Sequence, residues 1–158
     1  MKVATLSLGV FVLGGIVVGA DEEAIAVKDL PKAVTAAVQA KFPKGRLTSA
    51  SKEEGDGKTV YEVALEDDGT KVDVAVSAKG KILEIEKAIA TTSLPPAVLA
   101  AIRAKYPKAK VKAAEEIVEF EEGEEGEGPE TFYEVDLAIA GKPSLELKVS
   151  PKGKIIEE

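Results

Sequence analysis

The chain has no cysteine, no histidine, no asparagine and no tryptophan. Without cysteine there is no disulfide framework, no zinc–thiolate centre and no thiol nucleophile. Without histidine, the usual general base and the commonest metal ligand are missing. Without asparagine, the N-x-S/T glycosylation acceptor cannot occur. Aromatic residues make up only 4% of the chain, so a core must be built from Val, Ile, Leu and Ala. Basic charge is also in short supply. Twenty-one Lys and Arg against 28 Asp and Glu leave a formal net charge of -7. An acidic chain repels phosphate backbones, which argues against nucleic-acid binding. It also repels anionic lipid surfaces.

The 158 residues that are present are 45% hydrophobic and 31% charged, a balance that supports a packed core beneath a wet surface. Lys2 opens the chain, and an apolar run follows from Val3 to Val18. Val18-Gly19-Ala20 places small residues where a signal peptidase reads, and Asp21-Glu22-Glu23 ends the apolar run. This is the secretory pattern. Residues 1–20 are therefore expected to be a signal-peptide helix and residues 21–27 a flexible mature N-terminus. The run is almost long enough to span a bilayer, so a retained anchor is the alternative. Gly9, Gly14, Gly15 and Gly19, with the Val-x-Ala end, favour cleavage. The expected location is outside the cytoplasm, periplasmic or extracellular, with no membrane association after cleavage.

An internal repeat follows the leader. Leu30-Pro31-Lys32-Ala33-Val34 recurs as Leu94-Pro95-Pro96-Ala97-Val98, and Lys41-Phe42-Pro43-Lys44 as Lys105-Tyr106-Pro107-Lys108. Tyr61-Glu62-Val63-Ala64-Leu65 recurs as Tyr133-Glu134-Val135-Asp136-Leu137. Val76-Ser77-Ala78-Lys79-Gly80-Lys81-Ile82 recurs as Val149-Ser150-Pro151-Lys152-Gly153-Lys154-Ile155. The order is kept while the offset grows, which places an insertion before Tyr133. The copies are read as residues 28–88 and 94–158, joined by a linker at 89–93.

Each copy opens with a helix. Leu30, Val34, Val38 and Phe42 follow i, i+4 spacing, as do Leu94, Val98, Ile102 and Tyr106. Asp29 and Ser93 are the expected N-caps, with Pro31 and Pro95 in the first turn. Pro43 and Pro107 end the helices. Strands follow. Arg46 to Glu53 is a weak first strand. Tyr61, Val63 and Leu65, then Val72, Val74 and Val76, alternate with more polar residues, and Ile82 to Lys87 closes the copy. Gly55-Asp56-Gly57, Asp67-Asp68-Gly69 and Lys79-Gly80 read as turns. The expected fold is α+β: two tandem α-β-β-β-β repeats, with the helices packed on one face of a continuous antiparallel sheet of eight strands. A copy of about 60 residues is marginal alone, so the copies should share that sheet.

The Leu-Pro-x-Ala-Val helix opening, the Lys-Phe-Pro or Lys-Tyr-Pro helix end, the Tyr-Glu-Val strand and the Val-Ser-x-Lys-Gly-Lys-Ile hairpin resemble the PepSY-like family, also described as beta-lactamase-inhibitor-like. The resemblance covers nearly all of residues 28 to 158. It implies an exported bacterial protein with a tandem fold similar to beta-lactamase inhibitory protein, whose concave sheet grips an enzyme. It further implies a role beside secreted peptidases, which PepSY domains inhibit or chaperone.

Candidate sites are few. The stretch Glu119 to Glu130 interleaves acids with Gly123, Gly126 and Gly128. Glu121, Glu122, Glu124, Glu125 and Glu127 are its weak candidates for calcium, which takes several carboxylate oxygens. The plain reading is a solvated hairpin tip, because no D-x-D/N-x-D/N-G spacing is present. Gly57-Lys58-Thr59 mimics a phosphate-loop end but lacks the earlier glycine and is followed by a strand. Ser77 with Lys79, and Ser150 with Lys152, fall in a repeated turn whose chemistry explains them. Glu62 and Glu134 occupy equivalent strand positions on the wet face, where a carboxylate pair could do acid–base work but solubilisation suffices. Tyr61 and Tyr133 fall on the apolar face and read as core. No catalytic or cofactor-binding residue is assigned. The expectation is a non-enzymatic binding or regulatory module for an exported protein, a peptidase or a sensor. Cation binding through the 119–130 hairpin is the alternative, and the oligomeric state is not set by the sequence.

Overall fold

The computed structural model describes residues 22–55, 57–120 and 128–157. Among these residues all strands join one nine-stranded sheet in which neighbours in sequence are neighbours in space, and every pairing is antiparallel. The strands are β1 (Glu22–Ile25), β2 (Arg46–Gly55), β3 (Lys58–Asp67), β4 (Thr70–Ser77), β5 (Ile82–Ile89), β6 (Lys110–Glu119), β7 (Glu130–Ala138), β8 (Leu145–Val149) and β9 (Ile155–Glu157). Helix α1 (Lys32–Lys41) lies in the connection from β1 to β2, and α2 (Pro96–Lys105) in that from β5 to β6. The α+β class is as expected from the sequence, with one sheet and helices on one side of it.

The structure departs from the sequence reading at two kinds of place. Glu22–Ile25, expected as flexible, form a ninth strand: Ile25 pairs with Ala50 and packs against the first core. Asp29 and Ser93 do not cap the helices. They end 3-10 turns at Val27–Asp29 and Thr91–Ser93, and Pro31 and Pro95 take the N-cap positions with no side-chain cap. A proline cap works because its fixed φ, here -55° at both positions, suits helix entry and the first N–H groups need no intrahelical partner.

Helix ends agree with the expectation. The backbone N–H of Phe42 donates to the Val38 carbonyl at 2.8 Å, and that of Tyr106 to the Ile102 carbonyl at 2.7 Å, before Pro43 and Pro107 stop the chain. The turn at Asp68-Gly69 has positive φ at both residues (48° and 78°), which matches the twist of the strands it joins.

Period-2 alternation divides the sheet cleanly. Val63, Leu65, Val72, Val74, Val76 and Ile85 meet Val34 and Val38 of α1 in one core cluster. Val135, Leu137, Leu147 and Val149 meet Val98 and Ile102 of α2 in a second. Tyr61 and Tyr133 pack at the margins of these clusters, as read from the sequence. The sheet runs without a break between them. β5 and β6 pair from Glu84↔Glu119 to Ile89↔Ala114, Phe120 donates its N–H to the Leu83 carbonyl at 2.8 Å, and the Phe120 side chain packs against the first cluster.

Glycine is required where the sheet meets the helices. Gly80 has φ +83° and a Cβ there would lie 2.7 Å from the Ala33 carbonyl oxygen. Gly153 has φ +82° and a Cβ there would lie 2.5 Å from the Ala97 carbonyl oxygen. The β4–β5 and β8–β9 turns are thereby pressed onto α1 and α2.

Candidate functional site

Both helices lie against the same face of the sheet, and the described residues place no element over the other. Register defines that open face. Residues that alternate with the core positions are Glu62, Ala64 and Glu66 on β3, Asp73 and Ala75 on β4, and Glu84 and Glu86 on β5. The face continues through Glu115, Ile117 and Glu119 on β6, Phe132, Glu134 and Asp136 on β7, and Glu146 and Lys148 on β8. Acids stand directly opposite acids: Asp73↔Glu86, Glu84↔Glu119, Glu115↔Glu134 and Asp136↔Glu146. Opposed like charges on adjacent strands destabilise a sheet.

The consequence is a set of carboxyls that hold protons far above the usual 4.5. Burial is the first cause at each, and neighbouring carboxylates add to it. Glu62 is pushed up to about 7, with Glu22, Glu53, Asp73 and Glu84 nearby. Glu115 is also pushed to about 7, beside Asp73, Asp136 and Glu146, while Lys71 pulls it back. Glu134 reaches about 8 beside Glu146, Glu115 and Asp136, with Lys148 opposing. Glu86 reaches about 9 between Glu84, Glu134 and Glu115. Burial likewise raises Asp73, Glu84, Asp136 and Glu146. These side chains are half-buried, and apolar residues share the face with them. Ile117 is 2% exposed, Ala75 6% and Val60 8%, and all three lie on this face rather than in either helix-backed core.

Lys148 is the cation at the centre of one edge of this array. It is ion-paired to Glu119 and sits 4.8 Å from the centre of the Phe132 ring. Burial lowers its pKa, but Glu119, Glu84 and Glu157 outweigh this and the net shift is upward. Lys148 is therefore a fixed positive charge on the face.

The opposite layer has the opposite sign. Neither helix contains an acidic residue, whereas α1 carries Lys32 and Lys41 and α2 carries Arg103 and Lys105. Lys44 and Lys108 follow the helices, and Lys79 and Lys152 flank the glycines pressed against them. The molecule is polarised, with an acidic open sheet on one side and a basic helix layer on the other.

Of the residues singled out in the sequence, Glu62 and Glu134 do lie on the face away from the helices. They belong to one array but not to one pair, since β4, β5 and β6 separate their strands. Ser77 and Ser150 serve their turns: the Oγ atoms accept the N–H groups of Lys81 and Lys154, both at 3.1 Å. Lys58 and Thr59 start β3, as the strand reading of that stretch requires. Glu121, Glu122, Glu124, Glu125 and Glu127 lie outside the described residues, which reach the hairpin only at its base pair Glu119↔Glu130. Among the described residues no group of three or more acids is placed to hold a metal ion.

Sequence reasoning missed most of the array. Asp73, Glu84, Glu86, Glu115, Asp136 and Glu146 drew no attention singly. The signal was present as alternation, for example Leu83-Glu84-Ile85-Glu86, and needed the register to become a surface.

Fold and face together define an α+β protein with one helix-backed antiparallel sheet and an open acidic face. The chain belongs to the PepSY-like family: residues 69–157 match the family described as "Putative beta-lactamase-inhibitor-like, PepSY-like". Residues 31–86 also match the family described as "Peptidase propeptide and YPEB domain". No curated protein matches the chain. Among solved structures, it is similar to a DUF2874 family protein from Bacteroides uniformis, at TM-score 0.63 and 18% identity over 80% of this chain and 86% of that one. A protein from Bacteroides eggerthii described as "putative periplasmic" gives TM-score 0.61 and 16% identity over 80% and 86%. A BLIP-like protein from Bacteroides fragilis gives 0.58 and 20% over 80% and 82%. At these identities the likeness is one of fold. Among the described residues no helix is long and apolar enough to cross a membrane.

Proposed function

We propose that this chain is an exported, non-enzymatic binding module that presents the open face of its sheet to another exported protein, a peptidase or hydrolase that it restrains. The observation that carries the reading is a sheet face that no described element covers. Half-buried acids surround the half-buried Phe132 there, while the helices occupy the other side. Such a mix of apolar contact area and charge fits recognition of a protein surface. The family's inhibitor-like description and the fold shared with a BLIP-like protein favour the same reading.

Capture from the exported fraction tests it. The chain, tagged at its C-terminus, should retain a peptidase or hydrolase, and Phe132→Ala on the open face should weaken that retention. Retention unchanged by Phe132→Ala but lost on substituting Lys41 and Arg103 would place binding on the helix layer and sink the proposal.

Two organisational readings belong with it. Residues 28–88 and 94–158 are two copies of one module joined through 89–93, and residues 1–20 are removed on export. The mass of the exported protein tests the second. A mature chain starting at Asp21 is expected, and a full-length mass would contradict it.

A further inference from the structure

The partner's charge can be read from the face. Resting on the reading above that the open face is the binding face, we propose that this face takes a cationic protein surface, presented as lysine and arginine side chains, and releases protons as it does so.

The argument starts from the cross-strand pair Glu115↔Glu134. Every element around it contributes charge: Lys71 and Asp73 from β4, Glu86 from β5, Asp136 from β7, and Glu146 and Lys148 from β8. Lys148 is committed to Glu119, so the acids at the centre lack cations in proportion to their number. Adjacent carboxyls in this state share protons, because ionising all of them together is costly. Cations brought in by a partner remove that cost. The carboxyls then ionise and pair, and each proton lost goes to solvent.

Charge segregation gives the second argument. Both helices carry cations and no acid, whereas on the open face acids outnumber cations such as Lys71 and Lys148 over the width of β3 to β8. A field of one sign across a whole face steers a partner of the other sign and speeds encounter, with strong dependence on salt. The half-buried Phe132 adds apolar area against which the methylene stems of lysine and arginine can pack.

Octalysine is a suitable probe of this chemistry. It would be titrated into the full mature chain by calorimetry in two buffers of different ionisation enthalpy. Net proton release is expected at about pH 7, where these carboxyls are partly protonated, with affinity rising on the order of tenfold from about pH 6 to about pH 8. Glu115→Gln with Glu134→Gln should weaken binding roughly fivefold or more, whereas Asp29→Asn with Asp68→Asn, which removes the same number of carboxyl groups at exposed sites elsewhere, should weaken it by less than about twofold. Circular dichroism of both variants checks that they fold. Equal weakening by the two pairs, or binding without proton release, would overturn the proposal. So would salt-sensitive oligomers of the chain alone that Glu115→Gln with Glu134→Gln abolishes, because the helix layer of a second copy would then be the occupant. If the captured exported partner binds the open face insensitively to salt, the cationic inference fails while the binding-face reading stands. If that partner binds the helix layer, the reading itself fails.

Discussion

Single residues set the tightest tolerances in this protein. Gly153 and Gly69 both have left-handed φ, but only Gly153 faces a helix carbonyl; a Cβ at Gly69 would meet nothing within 4 Å. Gly69→Ala should cost about 1 kcal/mol, the conformational penalty alone. Gly153→Ala must also push the turn away from Ala97 and should cost roughly 2–3 kcal/mol. Urea unfolding of the two variants checks this, and equal costs would contradict the packing account. Leu137→Ala, at a fully buried core position, should cost roughly 2–5 kcal/mol. Glu134 behaves in the opposite way. Its folded pKa of about 8 lies above its usual 4.5, so the proton it holds stabilises the fold below pH 4.5, and that contribution is lost as pH rises through 8. Glu134→Gln should therefore raise the melting temperature by a few degrees at about pH 9 and leave it nearly unchanged at about pH 4. A variant that melts lower than the parent at pH 9 would show that no carboxylate repulsion is relieved there.

At the scale of elements, periodicity carried most of the information. The i, i+4 stripes of both helices and the alternation of β3, β4 and β7 are physical requirements of facing one core, so they are visible in any sequence that meets them. What failed was local. Asp29 and Ser93 look like caps, yet each lies in a 3-10 turn, and the proline that follows Leu30 or Leu94 fixes helix entry instead. β1 is hard to read because its two acids, Glu22 and Glu23, follow the apolar run of residues 3–18. Its signal is nevertheless there: Ala24-Ile25-Ala26 recurs as Ala88-Ile89-Ala90, and Ile25 packs against the first cluster and Ile89 against the second. The open face was illegible for a different reason. Alternation shows that Glu84 or Glu115 points away from the core, but only register shows which acid stands opposite. The β5–β6 junction is the element-scale test of unity. Phe120 lies beyond β6 yet packs on the first cluster, so Phe120→Ala should destabilise the whole fold by about 2 kcal/mol in a single transition. Two separated transitions would show that the halves unfold apart.

Across the whole molecule, the two layers divide the work. The apolar stripes of α1 and α2 and one side of the sheet make the protein stand without disulfides. The other side is left acidic at a cost in stability. Because Glu62, Glu86, Glu115 and Glu134 are all raised, the folded state binds more protons than the unfolded chain between pH 4.5 and about 9. Stability should therefore fall as pH rises from about 4.5, most steeply below 7, and level off near 9, and melting temperatures measured across that window check the sign. On the function proposed above, a face kept at such a cost is explained by what it meets. Carbodiimide footprinting of the carboxyl groups, with and without the captured exported partner, tests that claim most directly. The account expects protection of Glu62, Glu86, Glu115 and Glu134, with Asp29 and Asp68 labelled as in the free chain. Unchanged labelling of the open face, with the partner bound, would contradict it.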